Sequence, residues 1–75
     1  MFNVYAVNLE NTADFSEKFI EKRHAWDTFI DVCSAADCGF AIITDGLTGE
    51  LLVEFKECCL TIYDKDGNWE DFLFE

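Results

Sequence analysis

The stretch from Asp14 to Ala36, DFSEKFIEKRHAWDTFIDVCSAA, decides the fold. Read as one helix, it lines up Phe15, Phe19, Trp26, Ile30 and Cys33 along a single apolar stripe. Read as two elements, Phe15 to Glu21 is a strand that pairs with the segment before it. A shorter helix then runs from about His24 to Ala36 and buries Ala25, Trp26, Phe29, Ile30, Cys33 and Ala36 at helical spacing. Asp27, Asp31 and Ser34 face water on that helix. The long helix has to carry its stripe across Lys22, Arg23 and His24, a polar gap, so the two-element reading is preferred. Asp37-Cys38-Gly39 ends the helix, with Gly39 available for a left-handed cap.

Upstream, MFNVYAVNL (Met1 to Leu9) sets Phe2, Val4 and Ala6 against Tyr5, Val7 and Leu9. That alternation predicts a strand with both faces partly covered. Glu10 to Asp14 reads as a turn. Downstream of Gly39 the period switches to two. Phe40 to Thr44 (FAIIT) is an apolar strand, Asp45 to Gly49 a turn, and Glu50 to Glu57 (ELLVEFKE) the return strand. Leu51, Val53 and Phe55 are expected to face the core, with Glu50, Glu54, Lys56 and Leu52 on the other side. A further hairpin is expected from Cys59 to Tyr63 (CLTIY), the Asp-Gly turn signal within Asp64 to Asn68, and a last strand from Trp69 to Phe74. The predicted fold class is α+β: a small antiparallel sheet of four to six strands, including two C-terminal hairpins, with one helix packed on one face. The 75 residues are read as a single domain.

The charge narrows the choice of partners. Sixteen acids stand against five bases, a formal net charge of −11. Half the residues are apolar and twelve are aromatic, which points to a folded core and away from disorder. The acids are spread along the chain with no acidic run beyond the Glu70-Asp71 pair, so they form a coat on a folded domain. Such a coat repels nucleic acid and anionic membranes and attracts basic surfaces. No apolar stretch approaches the roughly 20 residues that span a bilayer, and no basic region followed by an apolar run opens the chain. A cytoplasmic location is therefore expected, with the four cysteines as reduced thiols.

Catalytic and metal signals are weak. Cys33, Cys38, Cys58 and Cys59 lack the Cys-x2-Cys knuckles of structural zinc sites. Adjacent strand residues point to opposite faces, which separates Cys58 from Cys59. His24, the single histidine, is nine positions from Cys33, about 14 Å along a helix, too far for a nucleophilic dyad. Asp64-Lys65-Asp66-Gly67-Asn68 has its glycine at the fourth position of the run, against the sixth in a calcium-binding EF-hand loop, and is better read as a tight turn. No glycine-rich phosphate loop occurs. Lys18, Lys22 and Arg23 form a basic cluster too small for nucleic acid. No enzyme activity, metal or cofactor is expected.

Residues 44–75 carry nine acids and two lysines, a net of −7, against −4 for the remainder. Same-face carboxylates two apart on a strand lie about 7 Å from each other, and rows of them can imitate the charge rhythm of a phosphate backbone. Glu50, Glu54, Asp64, Asp66, Glu70 and Asp71 are the candidate partner-binding residues. The expected partner is a basic, nucleic-acid-binding protein, with no direct contact to nucleic acid or membrane. In size, charge and lack of active-site groups the chain resembles, in type only, the small inhibitors that phages carry against host defences, such as anti-CRISPR and anti-restriction proteins. That resemblance implies an inhibitor that mimics DNA, acting in a host cytoplasm if phage-encoded. The alternative is a structural or assembly protein that homodimerises through its sheet and exposed aromatics such as Trp69, Phe72 or Phe74.

Overall fold

The computed structural model describes residues 1–10, 13–35 and 38–74, and for residues 13, 14 and 74 the backbone only. The decisive stretch divides. A strand, β2 (Ala13–Phe19), is followed by a helix, α1 (Lys22–Cys33), and the continuous helix does not form. The polar gap at Lys22 to His24 becomes the first turn of α1. Its N-cap, Glu21, is extended and gives no side-chain cap bond. At the other end Ser34 turns its hydroxyl back onto the Ile30 carbonyl at 2.8 Å. Helix α1 therefore stops short of the expected Ala36. Ala36 and Asp37, like the centre of the Glu10–Asp14 turn, lie outside the described residues.

The remaining strands are β1 (Phe2–Asn8), β3 (Cys38–Asp45), β4 (Leu51–Lys56) and β5 (Cys59–Ile62), and the five form one antiparallel sheet in the order β2-β1-β3-β4-β5. The fold is α+β, with α1 packed on one face of that sheet. Gly39 does not cap the helix; it belongs to β3, where the β1–β3 register shifts between Val7 and Asn8. A Cβ at Gly39 would sit 2.6 Å from the Asn8 backbone oxygen and 2.9 Å from that of Val7, so the glycine permits this close approach.

Two expectations for the C-terminal half are corrected. First, Leu52 belongs to the core. The β3–β4 register shifts between Ile43 and Thr44, so that Val53 pairs with Ile43 and Leu51 with Thr44. The irregularity leaves Leu52 beside Val53, and both are buried in the core cluster. Second, Trp69–Phe74 is not a strand but a 3₁₀ helix, preceded by a short 3₁₀ turn, Lys65–Gly67. The second hairpin is instead β4–β5, closed by Glu57 and Cys58 with φ of 54° and 63°. Two consecutive left-handed residues in a two-residue loop are the type I′ arrangement that suits the strand twist.

The C-terminal segment folds back onto the helix side of the sheet, where Trp69 is fully buried. Its ring meets Phe2 edge-on at 5.5 Å between centroids and lies 6.1 Å from both Trp26 and Phe72. Its indole N–H donates to Asp64 Oδ2 at 3.0 Å. Lys22 donates to the Gly67 carbonyl and lies over the Trp69 ring at 5.1 Å. A Cβ on Gly67 would strike the Asp64 carboxylate and the indole nitrogen, so this packing requires glycine there. The sequence-based placement of Trp69 and Phe72 as exposed interface aromatics is thus overturned: Trp69 is interior and Phe72 packs against the core. The side chain of Phe74 lies outside the described residues.

Candidate functional site

The sheet has two unlike sides. Strand alternation puts Val4, Ala6, Ala41, Ile43, Val53 and Ile62 under α1 and the C-terminal segment, where they form the core with Ala25, Trp26, Phe29 and Trp69. The same side carries a group of exposed acids. Asp27 and Asp31 are exposed on the outer surface of α1, one turn and about 6 Å apart. Asp66, Glu70 and Asp71 are exposed on the 3₁₀ segment, and Glu17 is exposed on β2.

The bases on this side are engaged close to home. Arg23 Nε lies 3.3 Å from Asp27 Oδ1 and its guanidinium stands 5.3 Å from the Phe72 ring centre. Lys65 reaches Glu70 Oε1 at 3.9 Å, and Lys22 holds the Gly67 carbonyl. These exposed ion pairs contribute little to stability. They do hold the cations within the acidic surface, so the side keeps a negative field.

The six carboxylates singled out from the sequence do not share one face. Asp66, Glu70 and Asp71 stand together on the 3₁₀ segment. Asp64 is half-buried and faces inward to the Trp69 indole. Glu50 sits at the β3–β4 turn, where its N–H donates to Thr48 Oγ1 at 3.2 Å. Glu54 points to the opposite side of the sheet, accepting from the Tyr63 hydroxyl at 3.2 Å. Its charge raises the Tyr63 pKa above the ordinary phenol value.

Sequence reading missed a cleft. Two adjoining surface hollows of about 280 and 320 Å³ meet at Leu60. One lies between β5 and the 3₁₀ segment, against Ile62, Lys65, Glu70 and Leu73. The other lies beside the end of α1, against Phe29, Ile30, Cys33, Ser34 and Phe55. Ile30, Leu60 and Leu73 keep 36–48% of their surface exposed there. The only advance signal is the alternation of Leu60 and Ile62 along β5, which needs α1 and the last segment in place before it reads as a floor.

The chemistry of the cleft is apolar contact. Burial, aided by the nearby Cys38, pushes the Cys33 thiol up to about 12, so it stays protonated and unreactive at neutral pH. His24 faces outward with its Nε2 3.6 Å from Glu21. Among the described residues no group of three or more histidines, cysteines or carboxylates is placed to hold a metal ion, and no helix is long and apolar enough to cross a membrane. The chain matches no protein-family model, no curated protein and no solved structure in the comparisons made.

Proposed function

We propose that the protein is a small non-catalytic binding module that uses its acidic helix side to occupy a basic surface of a nucleic-acid-binding protein and so inhibits it. The observation that carries this reading is the exposure of Asp27, Asp31, Asp66, Glu70 and Asp71 on the helix side of the sheet, where Glu70 lines an apolar cleft and the neighbouring bases are already engaged. Charge complementarity supplies steering and specificity, and exposed Ile30, Leu60 and Leu73 supply desolvated area. The binding set differs from the one first read in the sequence. Glu54 lies on the far side and Asp64 is committed to Trp69, so Asp66, Glu70 and Asp71 carry the role with Asp27 and Asp31.

The test is capture from cell lysate on the tagged chain, washed at 0.05 M and 0.5 M salt, then competition of the captured protein with duplex DNA. A nucleic-acid-binding protein released by salt, displaced by DNA, and lost with Glu70→Lys/Asp71→Lys while retained by Glu54→Gln supports the reading. Capture that ignores salt and DNA, or survives the double reversal, overturns it.

A further inference from the structure

Among the described residues no helix packs on the opposite side of the sheet, where most side chains keep part of their surface exposed and Val7 is buried. Its rows follow from the register: Lys18, Asn3, Thr44 and Leu51; then Ser16, Tyr5, Ile42, Glu54 and Thr61; then Val7, Phe40, Lys56 and Cys59. Tyr5 and Phe40 contact one another at 6.3 Å between centroids, and with Ile42 they make a half-buried apolar centre. Among the described residues the charges here are Lys18 and Lys56 against Glu54, a net of +1, in a chain of net −11. A basic macromolecule has no reason to prefer this face, and an acidic one is repelled by the rest of the molecule. A face so nearly neutral, carrying both signs, suits a second copy of this chain.

We infer that two copies stack through these open faces as a two-fold symmetric dimer. Place the two-fold axis between the sheets, running along the strands midway between β1 and β3. It then lays β4 of one copy over β2 of the other. Tyr5, Phe40 and Ile42 meet at the centre. Glu54 faces Ser16 of the second copy, with Lys18 of the second copy two residues along, about 7 Å, within reach of a lysine side chain. The symmetry makes this ion pair twice. The four strands that overlap, β2, β1, β3 and β4, lie about 4.8 Å apart and are about 20 Å long, a footprint of roughly 400 Å² per copy, with β5 beyond the edge of the second sheet. The pair buries about 800 Å², below the standard size of specific interfaces and in the range of a weak, reversible dimer. The acidic sides point away from one another, which lessens but does not remove the repulsion between two copies of net charge −11.

Sedimentation equilibrium of the full chain, from about 5 µM to 500 µM at physiological salt, where the Debye length is about 8 Å, is the deciding experiment. A monomer–dimer equilibrium is expected, weakened at least tenfold by Ile42→Lys and by Glu54→Lys, with circular dichroism confirming that each variant is folded. Glu54→Lys and Lys18→Glu each place like charges opposite one another in their own dimers. Mixed together, they place opposite charges at both contacts, so the mixture is expected to associate better than either variant alone. That rescue needs no assumption about the stability of Ile42→Lys. A monomer at every concentration overturns the inference, as does a dimer that ignores all three substitutions. The outcome is independent of the capture experiment, which reads the other side of the sheet.

Discussion

Asp64 and Trp69 show how single side chains tie the C-terminal segment down. The indole N–H is buried and its one hydrogen bond goes to Asp64. Asp64→Ala leaves that donor unsatisfied and is expected to cost about 1–3 kcal/mol in chemical denaturation, whereas Asp64→Asn keeps an acceptor and should cost less. Trp69→Ala removes the largest fully buried side chain and is expected to cost about 3–5 kcal/mol, a large part of the stability of so small a domain. Cysteine reactivity separates along the same line of burial. With the Cys33 thiol pushed up to about 12 against an ordinary 9.0, its thiolate fraction at pH 8 falls about 1000-fold. Limited alkylation followed by peptide mapping is expected to label exposed Cys58 and Cys59 and spare Cys33. Asp45 adds a pH dependence. Its carboxylate accepts from the Leu47 and Thr48 N–H groups, which lowers its pKa from the usual 3.8. A lowered folded value means stability present above 3.8 and lost as pH falls through that lower value. The gap in melting temperature between wild type and Asp45→Asn should therefore be open at pH 6 and shrink as pH falls below 3.8.

At the level of elements, what was legible was whatever short-range periodicity encodes. The strand–helix division within Asp14 to Ala36 showed in the polar gap at Lys22 to His24. The β3–β4 hairpin showed in its alternation and two glycines. The β4–β5 turn was hidden because Glu57-Cys58 has none of the usual residues for left-handed backbone. The Asp66-Gly67 pair carries a stronger local turn signal further along the chain, and periodicity alone centres the second hairpin there. In the structure Gly67 serves the close packing of Trp69, a tertiary requirement with no local signature. The energetics of the real turn follow directly. Non-glycine residues at positive φ cost about 1 kcal/mol or more each. Glu57→Asn with Cys58→Gly is expected to stabilise the domain by about 1–2 kcal/mol, read as a higher denaturant midpoint at unchanged slope.

For the whole molecule, composition disclosed the sign of the charge but not its arrangement. Which acids share a surface depends on the 3₁₀ segment folding over the helix side, and that depends on Trp69. A net charge of −11 makes self-repulsion a measurable term. Raising salt from about 0.01 M to 0.3 M shortens the Debye length from about 30 Å to under 8 Å, so the melting temperature should rise across that range. The two proposed associations answer to salt with opposite signs. Binding to a basic protein weakens as salt screens attraction. Stacking of two like-charged copies strengthens at first, because screening relieves the larger net repulsion between them. A single salt titration of a mixture thus distinguishes the two surfaces.

Carrying the helix, the 3₁₀ segment and their carboxylates on one side of the sheet also makes the molecule an electric dipole directed across the sheet. A dipole in the field of a cationic surface feels a torque before it feels contact. Rotational diffusion is then biased, and the chain arrives with its acid side forward and its bare sheet trailing.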